Sequence, residues 1–517
     1  MDTKCDLLVA GASLGGVSAA LAAADQGLSV ILTEECKWIG GQLTSQGVSA
    51  PDEHPWVEYY GVTRSYRRLR NGIRDYYRRN FPLSAENYQN PYLNPGNGWV
   101  SQLCHDPRVA LAVLQEMLAP HLASGKIQLY TQYLPTDVHS QGDRIAGVTF
   151  RSLEGQQELI VEASFVIDAT ETGDLLPLGN VEYVTGAESV EDTKEPHARD
   201  SEARPDDVQS FTVCFFLDTA GDENTLVPKP ASYEKHYSLQ PLRWEQIHPI
   251  TGEPRPFILW DAPGWYGPAL WTYRRILDAN QFQAGAYPSD ITLVNWPQND
   301  YRANFLDKTE AEKQSIIQEG KNLSLSLLWW IQNEAPRPDG KTGFPELRLR
   351  PDITGTEDGM AQYPYVRESR RINSLFRILE QHIALDCRPD GMAEVYSDSV
   401  GIGLYRIDLH PSVQNPKSID LSCCPFQIPL GALLPQRVEN LIAGCKNIGT
   451  THITNGAYRL HPVEWNIGES AGMLAAFCKD KNTSPQAVWQ TSALLADYQA
   501  TLRRRGIPLE WPRPHPV

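Results

Sequence analysis

The chain has 517 residues, of which 41% are apolar and 21% charged, and carries a formal net charge of −17. That length exceeds what one hydrophobic core organises, so a nucleotide-binding domain and a second, substrate-shaping domain are expected. The acidic surface sets aside nucleic acid and anionic membrane as partners, and no run reaches the roughly 20 apolar residues of a membrane helix.

The apolar stretch behind Met1 runs straight into glycines, which reads as a buried strand rather than a secretory signal and makes the cytoplasm the expected compartment. Asp6–Ala10 is that strand, Gly11-Ala12-Ser13-Leu14-Gly15-Gly16 the turn, Val17–Gly27 a helix of small residues, and Ser29–Thr33 a second strand ending at Glu34 and Glu35. Strand, glycine turn, helix, strand and acid in this order form the dinucleotide fingerprint. Gly11 permits the tight turn, Gly16 lets the helix approach the sheet, and the free N–H groups of the helix start favour a pyrophosphate. Ser13 replaces the middle glycine, and Glu34 stands 34 − 16 = 18 residues past Gly16, where an acid meets ribose hydroxyls. The fingerprint alone does not separate FAD from NAD. The paired Gly40-Gly41, followed by Gln42 and Thr44, lets backbone approach an extended FAD.

Arg64, Arg67, Arg68, Arg70, Arg74, Arg78 and Arg79 crowd one tyrosine-rich segment. Pairing with the chain's own acids is the favoured reading, and an anion-binding or docking face the alternative. Asp106-Pro107 opens a helix, and residues 126–168 alternate as a β-meander with turns at Gln141–Asp143 and Glu154-Gly155. Phe165–Asp174 is a buried strand ending in Ala169, Thr170, Gly173 and Asp174. Residues 190–207 read as an exposed loop. Trp296 and Tyr301 serve either a ring-shaped ligand or a core, and 307–334 reads as an amphipathic helix.

Arg367 and Arg370, in Arg367–Arg371, offer planar forks for a substrate oxygen or for structural ion pairs. Arg406, Asp408 and His410 share one strand face, which suits an Asp-supported general base at His410. Asn440–Gly449 and Asn455–Gly472 read as a strand, an irregular stretch and a glycine-rich helix onset, with His452 and His461 as acid/base candidates. Residues 484–506 form a last amphipathic helix before a proline-rich tail. Nine cysteines without a CxxC pair read as free thiols, and no iron–sulfur, HExxH or GxSxG spacing occurs, so no metal site is expected.

The N-terminal loop, Asp168–Asp174, Tyr363–Ile372, Asp398–His410 and Cys445–Gly472 together resemble the FAD-dependent oxidoreductases related to fumarate reductase and succinate dehydrogenase flavoproteins. More closely, the chain is similar to a bacterial group known only as FAD-dependent oxidoreductases. The resemblance implies an α/β, two-dinucleotide-fold (Rossmann-like) FAD-binding domain assembled from 1–60, 95–185 and 395–480. A mixed α+β substrate-capping domain would take 61–94 and 186–394, and a helix and tail 481–517. It implies FAD held by the residues above and by Leu134, Gly444, Asn447, Arg459, Glu464, Asn466 and Ile467, with hydride transfer to or from a small polar substrate. The relatives that attach FAD covalently use a histidine after the paired glycines. Gly40–Gly47 has none, so non-covalent FAD is expected. The electron acceptor, the oligomeric state, and a dependence on an iron–sulfur partner chain stay open, as do an NAD-binding and a non-catalytic reading.

Overall fold

Small and β-branched residues set the opening unit: β1 (Asp2–Ala10), α1 (Leu14–Asp25) and β2 (Val30–Glu34). These come from a computed structural model that describes residues 2–239, 242–248, 251–262 and 269–512. The chain continues through α2 (Arg64–Asn80), α3 (Pro107–Ala123), β3 (Ile127–Thr131), β4 (Tyr133–Gln141), β5 (Arg144–Ser152) and β6 (Glu158–Asp168). Ser13 caps α1 by accepting from the Gly16 amide, and Asp106 caps α3 by accepting from Arg108 with Pro107 in the first turn. β3, β2, β1 and β6 lie side by side in parallel. β3 therefore joins the parallel sheet rather than the meander expected over 126–168, because it pairs with β2 and not with β4.

β1 occupies one whole edge of β6. The other edge is divided. Its first half takes β5, with β4 beyond in antiparallel order, and Val166–Asp168 takes a strand from far along the chain.

Between them comes a four-stranded antiparallel sheet, built from β7 (Phe215–Asp218), β8 (Arg275–Leu277), β9 (Ile291–Val294) and β10 (Arg348–Leu349), in the order β8-β9-β7-β10. Helix α4 (Glu310–Asn333) covers it. It starts three residues later than the sequence suggests, because Thr309 and Glu312 form a reciprocal capping box. Alternation along β7 serves two cores at once: Phe215 and Leu217 join the cluster under α4, and Phe216 joins the main cluster. The sheet thus forms the seam between the two cores. Trp296 and Tyr301 belong to the second core, Trp296 buried and Tyr301 packed edge-on against Phe211.

The chain then returns through β11 (Ser399–Gly403), β12 (Ile407–Leu409), β13 (Ile419–Leu421) and β14 (Leu441–Ala443), the last being the distant strand on β6. Helices α5 (His452–Tyr458) and α6 (His461–Lys481) follow. The expected single helix over 484–506 is two, Pro485–Gln490 and Ser492–Arg505, broken at Thr491. Residues 513–517 of the expected tail lie outside the described residues. No helix among the described residues is long and apolar enough to cross a membrane.

Candidate active site at the sheet edge and the seam

Parallel strands deliver their following loops to one edge of the sheet. Gly11–Ser13 after β1, Glu34–Cys36 after β2, Ala169–Asp174 after β6 and Gly444–Asn447 after β14 all arrive there. Gly11 has φ +89, and a Cβ there would stand 2.3 Å from the Ala169 carbonyl oxygen. The Gly40 amide donates to Ala12 O at 2.7 Å, which ties the paired-glycine loop to the first one. Glu34 accepts from the Ala12 amide at 2.8 Å and from the Cys36 amide at 2.9 Å. Burial, with Glu35 and Glu171 nearby, lifts its carboxyl to about 8. A narrow cleft opens here, lined by Gly11, Glu34, Tyr133, Pro135, Ala169 and Thr170 among others. Its β4 wall consists of Tyr133 and Pro135, which share one face of the strand. Leu134 points to the other face and does not line the cleft.

Behind the glycine loops sits a buried ionic knot. Lys446 pairs with Glu171 and lies 3.7 Å from Glu464. Glu464 accepts from the Gly15 amide at 3.2 Å and from Gln42 Nε2 at 2.5 Å. Burial works against the Lys446 charge, but the acids around it outweigh that and hold its pKa well above the lysine range. Gln42 Oε1, Gln46 Oε1 and Nε2, Asp168 Oδ2 and Glu171 Oε1 are buried without a hydrogen-bond partner among the described residues. A cluster of buried unsatisfied polar atoms beside close-packed glycines fits a bound polar cofactor that supplies the missing partners. Thr44 spends its hydroxyl on Ile39 O at 2.5 Å, and Thr170 accepts from the Asp174 amide at 2.7 Å. Asn447 holds Asp168 O at 3.0 Å, which fastens β14 to β6.

The second group of charges lies at the seam. Arg367 meets Asp300 at 2.9 Å, and Asp300 accepts from His410 Nδ1 at 2.5 Å. His410 Nε2 stands 3.5 Å from Asp408, which lies 3.4 Å from Arg459, and Arg459 donates to the Tyr365 hydroxyl at 2.9 Å. Asp408 and His410 meet as the strand spacing suggests. Arg406 does not join them, because it pairs with Asp420 across the β12–β13 hairpin, and Arg459 takes its place. Burial disfavours a charged His410 and so does Arg367, yet Asp300 and Asp408 prevail and raise its pKa. Arg274, buried and paired to Asp52 at 3.0 Å, completes the seam.

The remaining candidates fall in other places. His452 donates Nδ1–H to Glu368 at 2.9 Å; burial opposes its charge, but Glu368 wins and its pKa rises. Arg370 is spent on Thr172 O, Asp174 and Asp307 at the end of β6. His461 accepts from the Asp52 amide at Nδ1 and donates Nε2–H to Val48 O, so it has no free nitrogen for a substrate, and burial lowers its pKa. Asn466 bridges α6 to β11 through Ile402 N and Val400 O, with Ile467 buried beside it. Leu14 is buried at the start of α1. Glu35 faces Lys313 at 3.8 Å, and burial lifts its carboxyl to about 7. In the arginine run, Arg70 pairs with Glu53 and Glu58, and Arg74 with Glu58 at 2.5 Å, so both are spent on the chain's own acids. Asp52, Arg274, Glu188 and His197 escaped the sequence reading. They carry no local pattern, and their partners lie far along the chain.

Residues 6–502 match the sequence profile of the family described as FAD dependent oxidoreductase. No curated protein matches the chain. Among solved structures, p-nitrophenol 4-monooxygenase PnpA from Pseudomonas putida DLL-E4 is 14% identical over 73% of this chain and 70% of that one, with a TM-score of 0.29. Mycobacterium smegmatis Sdh1 is 14% identical over 32% and 34% of the two chains, with a TM-score of 0.21. L-Proline dehydrogenase from P. horikoshii is 14% identical over 36% of this chain and 24% of that one, with a TM-score of 0.19. The match thus spans about a quarter to a third of the latter two proteins, and none of the three likenesses carries an argument about substrate or closer kinship. The family profile covers nearly the whole chain, and the chain belongs to the FAD dependent oxidoreductase family.

Proposed function

We propose that the chain is a dehydrogenase that holds FAD non-covalently in a Rossmann-like dinucleotide fold and oxidises or reduces a small polar substrate at a CH–OH or CH–CH group. The observation that carries this reading is the arrival of four loops at one edge of the parallel sheet, beside buried polar atoms that lack partners. Gly11, Ser13, Gly15 and Gly16 would receive the pyrophosphate at the start of α1, and Glu34 the ribose. Gly41, Gln42, Gly444 and the first turn of α6 would flank the rest of the cofactor. When bound, FAD supplies hydride acceptance and donation at flavin N5.

The chain's own groups do the rest. Arg367, Arg459 and Tyr365 present donors that orient a polar substrate at the seam. His410, flanked by Asp300 and Asp408, holds a proton at its imidazole and can pass it across the charged chain. Anaerobic mixing of the purified protein with a panel of hydroxy acids, polyols and saturated acids tests the reading. A substrate should bleach the flavin band, and His410→Asn should slow bleaching by about 10²-fold or more, as loss of a general base does. Bleaching at an unchanged rate in His410→Asn removes this residue from the mechanism.

A further inference from the structure

Three imidazoles line one cavity between residues 187–200, the β12–β13 hairpin and the start of α5. They are built alike. His197 donates Nδ1–H to Glu380 at 2.5 Å, His410 to Asp300 at 2.5 Å, and His452 to Glu368 at 2.9 Å. All three carboxylates are buried. An acid behind Nδ1 fixes the tautomer and strengthens the ring as a proton holder, leaving Nε2 as the working nitrogen. Metal sites use the same support, but among the described residues no group of three His, Cys, Asp or Glu is spaced to hold a metal ion.

What the cavity offers is therefore N–H donors, with Arg199, paired to Asp207, and Asp200, paired to Arg204, also on its wall. Among the described residues Nε2 of His197 and of His452 has no hydrogen-bond partner, and that of His410 has only the 3.5 Å approach of Asp408. The wall acceptors are already engaged. Glu188 takes Arg371 and the His452 amide, and Glu195 takes the Glu380 amide and the Thr451 hydroxyl. Lys417 stands at the rim, exposed, and makes no ion pair with any described residue. We propose that this cavity binds a small oxyanion, a phosphate or carboxylate group, through Nε2–H of His197 and His452, with His410 and Lys417 adding charge. The group is either a free anion or the acid end of the substrate, and in the second case the proposal rests on the function read above. His410 also belongs to the seam chain, so an anion here would act directly on the residue proposed to move the proton.

Calorimetric titration of the flavin-loaded protein with inorganic phosphate at pH 6.5 tests this. One site per chain is expected, and His197→Gln and His452→Gln should each weaken it about tenfold, the worth of one charge-assisted hydrogen bond. His452 is buried, so a folding defect in its variant leaves the decision to His197→Gln, whose side chain is partly exposed. No phosphate binding by the wild-type protein, or binding unchanged in His197→Gln, overturns the proposal. With a bleaching substrate in hand, competitive inhibition by phosphate assigns the cavity to the substrate's acid group, and inhibition of any other kind, or none, assigns it to a free anion. A colourless protein that binds phosphate sinks the dehydrogenase reading and keeps the cavity; a flavin-containing protein that does not bind it does the reverse.

Discussion

At the scale of single residues, buried charge gives the sharpest tests. Lys446 is the common partner of Glu171 and Glu464. Lys446→Met should leave two buried carboxylates unpaired and cost about 3–5 kcal/mol, read as a lowered denaturant midpoint. Part of that loss should return at low pH, where the acids are neutral. Glu34 gives a second test. Its folded pKa, about 8, stands above the unfolded carboxyl value, so the flavin-free native state binds the extra proton. Stability is then fully present below the unfolded pKa, about 4.3, and is lost as pH rises through about 8. Glu34→Gln should remove that slope, so its stability relative to the wild type should climb between pH 5 and pH 8 in flavin-free protein. A parallel pair of curves would show that Glu34 ionises as readily in the folded chain as in the unfolded one. His461 illustrates a residue that sequence misplaces. Beside a histidine-rich, glycine-rich helix onset it reads as an acid or base, yet Val48 and Asp52, 413 and 409 residues away, occupy both its nitrogens. Nothing local encodes those partners.

At the scale of elements, the legible parts are those written in short-range chemistry. The loop Gly11–Gly16 and the acid at Glu34 follow from spacing alone, and so does the Asp106-Pro107 helix start. The start of α4 was present in the sequence as Thr309 and Glu312, three residues apart, and the reading passed over it. The split of the last helix at Thr491 carries no such signal. Long-range packing decides other positions. α1 and α6 cross where glycine faces glycine, a Cβ on Gly468 standing 1.9 Å from Gly15 O, and α1 also abuts the loop after β14, where a Cβ on Gly15 would stand 2.0 Å from Gly444 O. Gly15→Ala should therefore push α1 off the Gly444 loop, costing about 1–3 kcal/mol or more. The measurement is flavin content together with the denaturant midpoint, and unchanged values for both would show that α1 and the Gly444 loop do not meet so closely.

At the scale of the molecule, two cores share the β7 sheet, and the charged seam forms where they meet. The family and the discontinuous build were legible because the fingerprint at one end and Cys445–Gly472 at the other are both long patterns. The seam was only half legible. Arg367, Asp408 and His410 stand in charged runs that draw notice, whereas Arg274 meets Asp52 across 222 residues and neither lies in a motif. The proposed dehydrogenase function depends on a flavin at the edge of the parallel sheet. The flavin content of the protein, purified after expression with riboflavin and denatured in acid, tests that most directly. About one FAD per chain should appear in the supernatant, with a colourless pellet. Protein that carries no flavin and takes up none from added FAD would contradict the assignment, and a yellow pellet would contradict non-covalent binding.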